Sequence, residues 1–264
     1  MTKIAVLSAS GGMDSTALLL HLLGKGCEVH AFSFNYGQKH IVELKRLQKN
    51  IQYLASMGYV VGHTTIDLQN TFASFHSALT DSSIPMPEGY YAEENMKKTV
   101  VPNRNAIFAS ILFGHALNIS VLRNQSVQMS MGVHSGDHAI YPDCRPQFHT
   151  DLFNTFCSGN WQTDKVSLYL PYIHENKHTI LQDALQNCQD LGLNFDIVFR
   201  NTNTSYEPDE TGRSSGRTGA DVERILAFHA LGRVDPVPYQ HSWDEVLAYA
   251  LEKEREYLHR QMGG

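Results

Sequence analysis

Short apolar runs alternate with longer segments of helical periodicity along most of the chain. "KIAVLSA" at residues 3–9 has the continuous apolar character of a strand buried in a parallel sheet. "STALLLHLLGKG" after it has helical length, with Gly24 and Gly26 as stop signals. "EVHAFSFNYG" reads as a second strand, "HIVELKRLQKNIQYLASMG" as an amphipathic helix ending at Gly58, and "YVVGHTTIDL" as a third strand. From Asn70 to Asn103 the rhythm breaks into a segment carrying Pro85, Pro87, Gly89 and Pro102, longer than an ordinary connection and expected to act as a lid. Alternation resumes with a helix at "NAIFASILFGHALNI", strands at "SVQMSMGV" and "VSLYLPYI", and a helix at "HTILQDALQNCQDLG".

This order predicts an α/β fold built on a doubly wound parallel sheet. Residues 1–200 make the α/β domain, with the lid-like insertion near 70–103. Residues 201–264 make a small C-terminal tail, a polar loop followed by two helices. The terminal Gly263-Gly264 reads as a frayed end.

The chemistry concentrates where the first strand stops, in "SASGGMDST". In an open parallel sheet, ligands bind outside the carboxyl ends of the strands, which is where this loop falls. Gly11 and Gly12 let backbone approach a ligand without a Cβ, and N–H groups of the loop and the following helix terminus form a cradle for phosphate oxygens. The loop is not a Walker A sequence: G-x-x-x-x-G-K-[ST] is absent and no lysine follows the glycines, so ordinary γ-phosphoryl transfer loses support. An N-capped glycine turn without a ligand is the plain alternative.

Composition narrows the partners. Twenty-one basic against 27 acidic residues give a net charge of −6, which builds in no attraction to nucleic-acid phosphates or to an anionic membrane. The four cysteines, Cys27, Cys144, Cys157 and Cys188, lack C-x-x-C spacing and suit a reducing cytoplasm. "MTKIAVLS" is too short an apolar run for a signal peptide or membrane span, so a soluble cytoplasmic protein is expected.

S-G-G-x-D-S after a first strand resembles the pyrophosphate-binding loop (PP-loop) of the N-type ATP pyrophosphatases, whose adenine nucleotide alpha hydrolase-like fold is the expectation here. These enzymes attach AMP to a substrate and release pyrophosphate. Three further segments, "FNYGQKHIVEL", "TVVPNRNAIF" and "GVHSGDHAIYPDCRPQF", resemble the 7-cyano-7-deazaguanine synthases, the QueC family, and "ENKHTI" and "DVERILAF" extend the similarity to about residue 230. The resemblance implies ATP-dependent activation of 7-carboxy-7-deazaguanine, capture of the acyl-adenylate by ammonia as an amide, and a second activation that dehydrates the amide to the nitrile.

It also assigns residues. Ala9, Ser10, Gly11, Gly12, Asp14, Ser15 and Thr16 hold the ATP phosphates, with Asp14 placing magnesium; Lys177 stands near the same phosphates and Arg104 faces the site from the start of a helix. Asp14, Lys177 and Arg104 form the catalytic set. In "GDHAIYPDCR", Asp137 and Asp143 can accept from a guanine-like edge, Tyr141 offers a stacking face, and Arg145 can pair with a carboxylate or phosphate. An Asp–Arg pair that only stiffens the loop remains the alternative. Cys144 reads as packing, and His134 and His138 as hydrogen-bonding groups rather than metal ligands.

One departure stands out. The family usually ends in a four-cysteine zinc site, and those places hold Ser205, Ser215, Thr218 and Asp221. Hydroxyls are poor zinc ligands, so no structural zinc is expected. Thr218 with Asp221 three residues on instead offers a helix-capping box. Such a cap contributes about 1 kcal/mol, less than a zinc site, so a homodimer interface is expected to help hold the tail. A rebuilt tail also opens an alternative acceptor: a protein amine in place of ammonia, as in QueC-like conjugating enzymes of anti-phage systems. A silent nucleotide-binding scaffold is disfavoured by the intact "SGGMDS", and RNA thiolation by the absence of a catalytic cysteine pair.

Overall fold

The computed structural model describes every residue except Met1, His40, Ile41, Ser82, Gly89, 91–93, Ser135, 137–140, 206–208, Glu210 and 263–264. Asp137 and His138 of the substrate loop and the terminal glycines therefore lie outside the described residues. Five strands form one parallel sheet: β1 (Ile4–Ser8), β2 (Glu28–Asn35), β3 (Val61–Asp67), β4 (Val127–Ser130) and β5 (Val166–Leu168), in the order β3-β2-β1-β4-β5. The chain winds outward from β1 through β2 to β3, then crosses back to place β4 on the other side of β1. This reversal makes the carboxyl ends of β1 and β4 the topological switch point, where a doubly wound sheet opens a crevice.

Helices cover both faces. α1 (Met13–Gly24) and α6 (Lys177–Asp190) belong to the core with Leu18, Leu22, Ile180 and Leu181, while α4 (Arg104–Arg123) fills the opposite core with Phe108, Leu112, Phe113 and Ala116. Among the described residues α4 is the helix long and apolar enough to cross a membrane, and it buries Phe108, Leu112, Phe113 and Ala116 in the protein core. α2 (Val42–Ser56), a short α3 (Gln69–Phe72), α5 (Pro146–Ser158), α7 (Phe195–Arg200), α8 (Gly219–Ala230) and α9 (Trp243–Met262) complete the framework.

Two segments differ from the sequence reading. α5 lies between β4 and β5 where no helix was expected; a parallel pair needs a crossover, and this helix supplies part of it. β5 stops at Leu168, short of the run extending to Ile173, and the chain turns at Pro171. The 70–103 segment, expected as a lid, buries Phe72, Ala78, Leu79, Met86, Met96 and Val101 in the α4 core. Its backbone is tied down by Lys39 N–H donating to Leu79 O and Ala78 N–H donating to Lys98 O. Its middle bridges Glu88 to Thr218 and stacks Tyr90 on Tyr257, so it joins the body to the tail.

Candidate active site

The loop after β1 is shaped by one obligatory glycine. Gly11 has φ +90°, and a Cβ there would lie 2.3 Å from Glu43 O of α2, so only a bare Cα lets the loop pass. Ser10 Oγ, 3.0 Å from Ser15 Oγ, accepts from Gly12 N–H, folding the loop over the start of α1. No side chain caps that helix at Gly12. Its first N–H groups thus give the positive end of the helix dipole to the crevice. Across the crevice, Gly132 follows β4 closely enough to α1 that a Cβ would lie 3.1 Å from Ser15 N.

A cavity of about 210 Å³ opens at this point, lined by Ser10, Gly12, Asp14 and Ser15 from the loop and helix, Gly132 and Val133 after β4, and Arg104, Tyr141, Cys144 and Lys177. A larger groove of about 840 Å³ runs between residues 215–217 and α9, but it takes no lining from the loop, so the smaller cavity is the candidate site.

Its electrostatic centre is a lysine. Lys177 opens α6 behind Asn176, whose side chain accepts from Thr179 N–H in a capping box. Lys177 Nζ lies 2.9 Å from Asp14 Oδ2, 3.2 Å from Glu223 Oε2 of α8 and 2.9 Å from His134 Nε2. The lysine side chain is 7% exposed and His134 fully buried. Burial alone would raise the Asp14 carboxyl, but the Lys177 ammonium and the His134 ring reverse that and hold it below its ordinary value. Gly136 N–H donates to His134 Nδ1, and His134 Nε2 lies against the Lys177 ammonium.

α6 is held against α1 by a second network. His21 lies 3.0 Å from Asp183 Oδ2 through Nδ1 and 2.8 Å from Tyr169 OH through Nε2, and Tyr172 OH donates to Asp183 Oδ2 at 2.5 Å. Burial and the Asp183 carboxylate push the Tyr172 hydroxyl well above its ordinary range, so it stays a donor. These contacts fix the helix that carries Lys177 to the helix that carries Asp14.

The expected site residues divide into two groups. Ser10, Gly12, Asp14, Ser15, Lys177, Arg104 and Tyr141 border the cavity. Arg104 begins α4 as expected, donates to Tyr36 OH at 3.5 Å and sits over the Tyr36 ring. Tyr141 is buried with its hydroxyl on Thr99 Oγ1, so one edge of its ring is already engaged. Ala9, Gly11 and Thr16 support the loop from beneath: Ala9 bonds β2 through its backbone, Gly11 O accepts from Asn203 N–H, and Thr16 is buried in α1. Asp143 and the exposed Arg145 flank the cavity without lining it. Cys144 lines it, with Sγ accepting from Asn105 Nδ2. Glu223 and Asn203 went unnoticed in sequence, since a glutamate in "DVERILAF" looks like a solvated helix residue.

The places that the resemblance assigns to zinc cysteines converge on one carboxylate. Ser205 Oγ, Ser215 Oγ and Thr218 Oγ1 donate to Asp221 Oδ2 at 3.1, 3.1 and 2.8 Å, and Thr218 N–H adds a fourth bond at 3.2 Å. The capping box expected at Thr218 and Asp221 is present. The donor set does not fit zinc, because its hydroxyls point their protons at the one acid among them. Among the described residues no group of three or more His, Cys, Asp or Glu side chains is arranged around a metal position.

A doubly wound sheet with a glycine loop at its switch point, and a cation, carboxylates and a buried histidine gathered over it, is the framework of an α/β enzyme. Residues 4–232 match the profile described as "Queuosine biosynthesis protein QueC", and the chain belongs to that family. A 7-cyano-7-deazaguanine synthase of Psychromonas ingrahamii is 38% identical over 241 residues, 91% of this chain and 99% of the relative. One from Methanoregula boonei is 39% identical over 236 residues, 89% and 99% of the two chains. A solved NMN synthetase from Francisella tularensis, 15% identical, covers 98% of this chain and 84% of its own with a TM-score of 0.38, a likeness too distant to bear on the chemistry.

Proposed function

We propose that the protein activates the carboxylate of 7-carboxy-7-deazaguanine with ATP and passes the acyl group to ammonia, continuing to the nitrile. The observation that carries this reading is the meeting of Lys177 with Asp14 over the uncapped start of α1, in a chain of the QueC family. A carboxylate oxygen attacks the α-phosphorus, the bond from that phosphorus to the α,β-bridging oxygen breaks, and pyrophosphate leaves with an acyl-adenylate formed. Ammonia then adds to the acyl carbon, AMP leaves and one proton is released. A second ATP transfers AMP to the amide oxygen with release of a second pyrophosphate, and loss of AMP with the two N–H protons gives the nitrile.

The chain's own groups suit the first step. The α1 N–H groups and Lys177 face the charge that grows on the leaving pyrophosphate, and Arg104 adds a cation on the facing wall. Asp14 Oδ1 is buried with no hydrogen-bond partner among the described residues, which fits a role in holding magnesium. Magnesium would neutralise phosphate charge there. Tyr141 forms the wall against which a flat base can lie, with Asp143 and Arg145 beside it.

Incubating the protein with ATP, magnesium, the deazaguanine acid and ammonia, and following the base and the nucleotide by mass, tests the reading. AMP, pyrophosphate and free nitrile are expected. A base carried as a mass increment on a polypeptide would instead establish a protein amine as acceptor, and ADP as the sole nucleotide product would refute adenylation.

A further inference from the structure

A carboxylate from the tail helix α8 reaches the lysine of the site. Glu223 Oε2 stands 3.2 Å from Lys177 Nζ, the same ammonium that Asp14 Oδ2 meets at 2.9 Å, and its side chain is 20% exposed. The loop after β4 is built to admit it: a Cβ on Gly136 would lie 2.4 Å from Glu223 Oε1 and 2.9 Å from the His134 ring. The backbone of Glu223 has little freedom. Two residues before it, Asp221 is held by three hydroxyls. One residue after it, Arg224 is fully buried and donates to both Asp235 oxygens at 2.6 and 2.9 Å.

One cation shared by two acids has a consequence once a nucleotide arrives. A metal taken up by Asp14 competes with Lys177 for that carboxylate, and an ammonium that loses its anion in a mostly buried site is costly. We infer that Glu223 is a positioning residue for Lys177, a second anion from the tail helix that keeps the ammonium in place when the magnesium accompanying ATP engages Asp14. The inference rests on the nucleotide reading above. It makes the tail a component of the ATP site, with the hydroxyl–carboxylate knot at Asp221 fixing where Glu223 stands.

Calorimetric titration of the full chain with ATP, once with excess magnesium and once with EDTA, tests this in wild type, Glu223→Gln and Gly136→Ala. Glu223→Gln weakens magnesium–ATP by about tenfold, roughly 1.4 kcal/mol, because Asp14 must then serve both the lysine and the metal. The same variant binds magnesium-free ATP as tightly as wild type or more so, because a negative charge has left an anion site. Gly136→Ala, whose methyl meets both the Glu223 carboxylate and the His134 ring, is expected to weaken magnesium–ATP as well. Equal weakening of both forms would reduce Glu223 to a structural role, and unchanged binding of both would remove its role altogether; either overturns the inference. Wild-type protein that binds neither form would overturn the nucleotide reading itself.

Discussion

Asp14 and Lys177 stand 163 residues apart in the chain and 2.9 Å apart in space, with the lysine only 7% exposed. Neither residue is a strong signal alone; their contact across the mouth of the β1 loop is what makes the crevice chemical. Lys177→Met is expected to lower substrate-dependent ATP–pyrophosphate exchange about 10²–10³-fold, the scale of losing one preorganised charge facing the transition state. Asp14→Ala is expected to be at least as damaging. Exchange near the wild-type rate in either variant would assign that residue to stability alone.

Gly11 and Gly26 offer a matched pair for the backbone of the loop. Both have positive φ, +90° and +69°, but a Cβ at Gly11 meets Glu43 O at 2.3 Å whereas nothing lies within 4 Å at Gly26. Gly26→Ala is therefore expected to cost only the left-handed term, about 1 kcal/mol. Gly11→Ala adds a backbone collision to the strain, is expected to cost at least about 3 kcal/mol, and loses exchange activity as the loop shifts. Urea unfolding of the two variants checks the difference.

The buried pair at the base of the tail gives a stability prediction. Arg224 and Asp235 are 1% and 0% exposed in their side chains, and Arg224 also donates to Thr202 Oγ1, Thr204 Oγ1 and Phe199 O. Arg224→Met leaves Asp235 with Tyr239 OH and Val237 N–H but no counter-charge, at an expected cost of about 3–5 kcal/mol. Adding Asp235→Asn to that variant is expected to recover part of the loss, so the two changes are less than additive in urea unfolding. Full additivity would mean that the charges do not depend on each other.

The elements legible in the sequence are those whose own composition fixes them. β1, its glycine loop and α1 combine a short apolar run, two glycines and a long apolar helix, and no tertiary contact is needed to read them. The 70–103 segment shows no period because its prolines and polar residues dominate the pattern, while the large apolar residues it buries, Phe72, Leu79 and Met96, are widely spaced. α5 is obscured by its mixed apolar and polar composition, with one residue, His149, buried in the helix. Lys177 is legible through "ENKHTI", but Glu223 becomes visible only when α8 is placed against α6, a relation between distant segments that local patterning does not carry.

The last prediction concerns the tail without its cysteines. Asp221 is buried, and that burial raises its carboxyl above the ordinary 3.8, partly offset by the hydroxyls of Thr218, Ser205 and Ser215. A group whose folded value is raised keeps its proton longer in the folded state. Its contribution is fully present below 3.8 and is lost as pH rises through the higher folded value. Asp221→Asn cannot titrate, so the wild-type advantage over this variant in thermal unfolding is expected to be greatest near pH 3.8 and to shrink toward neutrality. Asp14 moves the opposite way in both proteins and cancels in the difference. Because the positions that the QueC resemblance assigns to zinc cysteines hold hydroxyls and one acid, purified protein is also expected to carry well under one zinc per chain, and a chelator to leave its unfolding midpoint unchanged. A difference curve that rises with pH would show the Asp221 charge to be favoured by folding, and a chelator-sensitive midpoint would show that metal, rather than this hydrogen-bonded knot, holds the tail.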